Sequence, residues 1–195
     1  PAMLNLSSQW DNAVFGADLT ANFTASNLND ATGTLEMSRF TMLSEDKSYK
    51  LNNLDGISGY DDEGRHFLAL KSDFTTALLK GTFDYATLPQ SIANLVGSHL
   101  PTLPGLPKTL KPTDNNFEMT MRLNNTRWME TLMDVPLQLE EPLQLETTVN
   151  DELRQIEIKG HLPAFKYGDG SYQGGAISLT TQGDTARCHV AVTKQ

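Results

Sequence analysis

The stretch Phe15-Gly16-Ala17-Asp18-Leu19-Thr20-Ala21-Asn22-Phe23-Thr24-Ala25 decides the fold class. Phe15, Ala17, Leu19, Ala21, Phe23 and Ala25 recur at period two, with Asp18, Thr20, Asn22 and Thr24 between them. Side chains of a β-strand point alternately to opposite faces, so this spacing makes a strand with one apolar and one polar side. A sheet of such strands must cover its apolar side with protein or with ligand. That choice is the functional question.

Outward from this stretch the same rhythm continues. Segments near 3–8, 13–26, 32–43, 48–58, 65–72 and 74–85 read as strands, supported by Leu35 and Met37 and by Phe74, Leu79, Gly81, Phe83 and Tyr85. Asn27-Leu28-Asn29-Asp30 and Asp61-Asp62-Glu63-Gly64 are polar turn clusters between apolar strands. Short polar links favour an antiparallel meander, because parallel pairs need long crossovers.

Residues 86–113 break the rhythm. Thr87-Leu88-Pro89-Gln90 has the form of a capping box with Thr87 as N-cap. Leu88, Ile92, Leu95, Val96 and His99 follow at helical spacing until Pro101. The run Pro101-Thr102-Leu103-Pro104-Gly105-Leu106-Pro107-Lys108 reads as a loop, and 101–113 as the one candidate sub-boundary. Strands resume at 116–124, where Phe117, Met119, Met121 and Leu123 share a face. A short helix follows, capped by Asn125 or Thr126, striped by Trp128, Met129, Leu132 and Met133, and ended by Pro136. Further strands are expected near 137–149, 152–161, 171–182 and 185–193, with Pro142 marking the first as an edge or bulged strand. The chain therefore reads as a single mainly-β domain over 1–195, an antiparallel sheet with two short amphipathic helices. Its opening, Pro1-Ala2-Met3-Leu4, reads as mid-strand, like a piece of a much longer protein.

A chain of 195 residues can bury roughly 70% of its unfolded surface. Its net charge of −9 and pI near 4.8, with no basic block, argue against nucleic acid and against an anionic membrane surface. No apolar run reaches the 18 residues of a transmembrane helix. Cys188 is the one cysteine, which excludes an intrachain disulfide, and its alternation with Ala186, Val190 and Val192 reads as a small buried hydrophobe.

Motifs for catalysis are thin. His66, His99, His161 and His189 show no paired spacing, and one cysteine excludes a zinc site of sequence-local ligands. Gly56-Ile57-Ser58-Gly59 and Gly170-Ser171-Tyr172-Gln173-Gly174 read as turns or bulges, not nucleophile elbows. Asp61-Asp62-Glu63 reads as a solvated hairpin tip and lacks the spaced ligands of a calcium loop. Glu140, Glu141 and Glu152 have nothing local to hold them as a glycosidase pair. No phosphate loop or dinucleotide fingerprint is present, so no cofactor or metal is expected and the chain reads as non-enzymatic. Trp10, beside Asp11-Asn12, is a candidate sugar-stacking ring, whereas Trp128 belongs to a helical stripe.

Three stretches carry a family likeness: Leu54-Asp55-Gly56-Ile57-Ser58-Gly59, then Phe67-Leu68-Ala69-Leu70-Lys71-Ser72-Asp73-Phe74, then Lys80-Gly81-Thr82-Phe83-Asp84-Tyr85-Ala86-Thr87-Leu88-Pro89. They resemble internal segments of the TamB/AsmA-like translocation and assembly proteins of Gram-negative envelopes, most closely the Bacteroidetes type. The likeness spans roughly residues 30–135 and takes in Leu100-Pro101. It implies a periplasmic segment of a long protein anchored in the inner membrane, with a rolled β-sheet forming a hydrophobic groove. The implied partners are phospholipid or acyl chains, or the outer-membrane β-barrel assembly machinery.

On that reading the groove is lined by Phe15, Leu19, Phe23, Leu35, Met37, Leu79, Phe83, Phe117, Met119, Met121, Leu137 and Leu139. Unbranched methionines adapt their shape to acyl chains. The same residues serve equally well as an ordinary core. A rival reading is a β-sandwich binding module for a glycan or protein partner, with function in loops such as 61–64 and 101–112.

Overall fold

A computed structural model describes residues 13–44, 47–88, 90–91, 94, 113–133, 135–182 and 185–194. The strands among them are β1 (Val14–Thr24), β2 (Thr32–Leu43), β3 (Ser48–Tyr60), β4 (His66–Ser72), β5 (Thr75–Thr82), β6 (Asn116–Leu123), β7 (Leu137–Leu139), β8 (Leu143–Asn150), β9 (Gln155–Leu162), β10 (Phe165–Tyr167), β11 (Gly170–Gln173), β12 (Gly175–Gln182), β13 (Thr185–Val190) and β14 (Thr193–Lys194). Ten pair in the order β1-β2-β3-β4-β5-β6-β8-β9-β12-β13, and four form a small second sheet, β14-β11-β10-β7. Every described pair is antiparallel. The protein is mainly β, built on a curved sheet that does not close into a barrel.

Short hairpins explain the meander. The β3–β4 tip is locked by Asp61, whose Oδ1 accepts from the backbone N–H of Glu63 (3.1 Å) and Arg65 (2.9 Å). Its Oδ2 takes the Arg65 guanidinium at 3.1 Å and Lys80 at 3.6 Å. The backbone N–H of Arg65 is the main reason the Asp61 carboxyl is held below its ordinary range. At the β4–β5 turn, Ser72 Oγ accepts from the N–H of Phe74 and Thr75. Asp73 Oδ2 accepts from the backbone and side-chain nitrogens of Asn52, at 2.8 and 2.7 Å. Phe74 packs on Trp128 with ring centres 5.6 Å apart. In Ser72-Asp73-Phe74, then, the serine shapes the turn, the aspartate clamps it to β3, and the phenylalanine stacks on the tryptophan.

Which face each residue occupies follows from the register. Leu19, Ala21 and Phe23 on β1 align with Met37, Leu35 and Gly33 on β2, then with Leu54, Gly56 and Ser58 on β3. The β1–β2 ladder shifts between Gly16 and Asp18, where Arg39 holds a positive φ of 53° and pairs with Asp18. This bulge flips the parity of β2, so Phe40 and Met42 join the apolar side. Tyr49 and Leu51 lie opposite them on β3. Burial, and then the nearby Asp73 charge, push the Tyr49 phenol above its ordinary value.

Several expectations change. The stretch near 137–149 is not one strand at an edge. Pro142, which has no N–H for a ladder, marks a break between β7 in the small sheet and β8 in the interior of the large one. Leu137 and Leu139 therefore lie outside the large sheet. Asp84, not Thr87, caps the helical segment that includes Leu88, Gln90, Ser91 and Asn94: its Oδ1 accepts from Ala86 N at 2.7 Å and its carbonyl accepts from Leu88 N. The helix α1 (Arg127–Met133) is capped by Asn125, whose Oδ1 faces Arg127 N at 3.4 Å. Cys188 is exposed, because β13 is an edge strand with no neighbour on its far side among the described residues. The expected strand at 3–8, Trp10, the stripe Ile92, Leu95, Val96 and His99, Leu100-Pro101 and the loop 101–112 lie outside the described residues.

Candidate functional site

The candidate site is the apolar side of the large sheet. Leu35, Met37, Leu54, Leu68, Leu70, Met119, Met121, Leu145, Ile158, Ile177 and Leu179 all fall on it by register, and all are half-buried. The opposite side is mostly polar, carrying Thr34, Glu36, Asp55, Lys71, Glu118, Arg122, Glu146 and Lys159, with Ile57, Ala69 and Leu78 as an apolar row among them. Alternation in single strands thus becomes one amphipathic sheet.

Burial on this side is uneven. Leu79, Phe83, Phe117, Val149 and Ile156 form a closed cluster, with Leu68, Tyr85, Leu88, Met119, Ile158 and Leu179 packed against it. On β1 itself every residue is exposed, and Phe15, Leu19 and Phe23 present their side chains to solvent, Leu19 at 63%, although Met42 opposite Phe15 on β2 is buried. The twelve expected lining residues therefore divide by position. Leu79, Phe83 and Phe117 belong to the closed core. Phe15, Leu19, Phe23, Leu35, Met37, Met119 and Met121 lie on the accessible or half-covered part of the face. Leu137 and Leu139, half-buried, belong to the small sheet.

Two polar constructions hold the closed end together. Asn115, 1% exposed, is a hub: its Oδ1 accepts from Asp84 N at 2.7 Å, its N–H donates to Asp151 Oδ2 at 2.8 Å, and its Nδ2 reaches Thr87 and Ser91. Ser91 Oγ also donates to Asp151 Oδ2 at 2.7 Å. The hub ties the segment after β5 to the β8–β9 turn. Pattern reading missed it, because one asparagine in a polar run carries no signal.

The second construction joins Ser58 and His66. Ser58 Oγ donates to the Ala31 carbonyl at 2.7 Å and lies 2.9 Å from both His66 Nε2 and Tyr85 OH. A hydroxyl has one proton. With that proton on Ala31 O, Ser58 accepts from the His66 Nε2–H tautomer and from Tyr85. His66 stacks on Phe83 at 4.9 Å, so the group works as a buried tie between β3, β4 and the segment after β5.

A cavity of about 620 Å³ lies beside this tie, lined by Tyr60, Arg65, Lys80, Asp84, Asp114 and Glu118 among others. Tyr60 is 51% exposed and its ring lies 5.1 Å from that of His66. Among the described residues no group of acidic, histidine or cysteine side chains is arranged to hold a metal, and no helix is long and apolar enough to cross a membrane. Comparison with known proteins gives no match to a family profile, a curated protein or a solved structure.

Proposed function

We propose that this chain is a non-enzymatic cell-envelope module that receives an apolar cargo, phospholipid or unfolded outer-membrane protein, on the apolar side of its open sheet. The observation that supports it most is the stretch from Leu19 and Phe23 through Leu35 and Met37, an apolar row that begins exposed on β1 and is only half-buried on β2. Contiguous exposed apolar surface on a soluble protein ordinarily marks a place of interaction. Each methylene removed from water contributes about 0.8 kcal/mol, so an acyl chain gains several kcal/mol after ordering costs. The TamB/AsmA-like resemblance supplies the setting: a periplasmic segment of an inner-membrane-anchored protein, working with phospholipid or with the outer-membrane assembly machinery.

Native mass spectrometry of gently purified protein tests the reading, together with uptake of a fluorescent fatty acid. Bound acyl species are expected, and Leu19→Asp or Met37→Asp lowers uptake by folded protein. An apo mass with no uptake overturns it. One observation favours a second reading, a glycan- or protein-binding module: Tyr60 is exposed and lines the 620 Å³ cavity beside Arg65, Lys80 and Glu118. Tyr60→Ala abolishing binding on a glycan array, with fatty-acid uptake absent, selects that alternative.

A further inference from the structure

We infer that β1 is the seam of a symmetric dimer, in which the edge it leaves unpaired among the described residues pairs antiparallel with β1 of a second copy about a two-fold axis at Leu19. Three observations converge on this strand.

Among the described residues β1 is an edge of the large sheet, and all eleven of its residues are exposed. Edge strands normally carry devices against pairing, such as lysine, proline or shortness. β1 has no lysine, arginine or proline. The other edge, β13, is only six residues long and carries Arg187 and His189.

The apolar residues on one side of β1 form a palindrome. Phe15, Ala17, Leu19, Ala21 and Phe23 read the same in both directions. An antiparallel copy centred on Leu19 sets Leu19 against Leu19, Ala17 against Ala21, and Phe15 against Phe23. Aromatic and aliphatic cross-strand pairs of this kind are the units that stabilise a ladder. A two-fold axis normal to the sheet also leaves both apolar sides facing the same way, and a two-fold contact closes on itself.

Charge permits the contact despite the net charge of −9. Asp18 is the one charged residue of β1, it is paired with Arg39 on β2, and the palindromic register places Thr20 opposite it. The seam therefore opposes no like charges. The pairing requires no cargo, so it stands or falls separately from the proposed function.

Sedimentation equilibrium and directed cross-linking test the inference. The chain is expected to show a concentration-dependent monomer–dimer equilibrium. Leu19→Lys sets two ammonium groups face to face and weakens association by roughly tenfold or more, with an unchanged circular dichroism spectrum. In a Cys188→Ser background, Leu19→Cys should oxidise to a disulfide dimer, since directly opposed strand residues lie within disulfide reach. Phe15→Cys should cross-link to Phe23→Cys when the two variants are mixed. A monomer at every concentration overturns the proposal. So does a dimer whose disulfide yield is no higher at Leu19 than at Thr20→Cys. In a parallel Leu19→Cys variant that keeps Cys188, cross-linking of Leu19→Cys to Cys188 with filament growth also overturns it, because it shows β1 joining β13 head to tail.

Discussion

Phe23 and Phe117 stand in nearly the same local setting and meet opposite fates. Each follows an asparagine, Asn22 or Asn116, and each faces a glycine across the ladder, Gly33 or Gly81. Both glycines have positive φ, 151° and 140°, and a Cβ on either would land on the carbonyl oxygen of the asparagine that precedes the facing phenylalanine. Yet Phe23 is 47% exposed and Phe117 only 2%. The strand pattern put both rings on the apolar side. Neighbours decided their depth: Phe117 lies between β5 and β8 with Tyr85 and Leu88 packed against its cluster, while β1 has one described neighbour.

The sharpest way to break this comparison is to remove both rings. Phe117→Ala should cost about 3–5 kcal/mol of stability by urea unfolding, as large-to-small changes in a closed core do. Phe23→Ala should cost under about 1 kcal/mol, as surface changes do. Equal losses would mean that the β1 end is covered as well as the centre. The glycines sharpen the contrast further. Gly81→Ala should lower global stability by about 1–3 kcal/mol through backbone strain. Gly33→Ala meets the same clash, but β1 can peel away. Its effect should appear as faster amide exchange in β1 with little change in the unfolding midpoint.

Two smaller effects concern the polar ties. Ser58→Ala leaves the His66 and Tyr85 donors without their shared acceptor and should cost about 1–3 kcal/mol. The smallest effect belongs to Asp61. Its carboxyl pKa is lower in the folded than in the unfolded chain. Its contribution is therefore complete above the ordinary carboxylate value near 4 and is lost as pH falls through the folded value. Amide exchange at Glu63 and Arg65 should rise there relative to neighbouring hairpins, and Asp61→Asn should remove that pH dependence.

Much of the fold was legible from period two alone. Strand positions from 13–26 through 74–85 coincide with β1–β5 within a few residues, because alternating apolar residues have one comfortable conformation. The break at Pro142 was legible as a flaw but not as a change of sheet, since a missing N–H says where pairing stops and not where the chain goes next. The exposure of Cys188 escaped for a related reason: alternation places a residue on a face but is silent about whether its strand is an edge. Of the expected lining, Leu79, Phe83 and Phe117 could not be told from Leu19 and Phe23 by type or spacing. The Asn115 hub and the Ser58–His66–Tyr85 tie join residues far apart in the chain and left no periodic trace.

The sequence by itself determined that strands would form, which side of each would be apolar, and where polar turns would send the chain back. Those are local matters, set by side-chain alternation and by turn chemistry within a few residues. Only the tertiary structure decided which strands leave the meander for the small sheet, the bulge at Arg39 that returns Phe40 and Met42 to the apolar side, and which part of that side is closed. Burial depends on how many neighbours a strand acquires, and neighbours come from contacts distant in sequence, which no local pattern encodes.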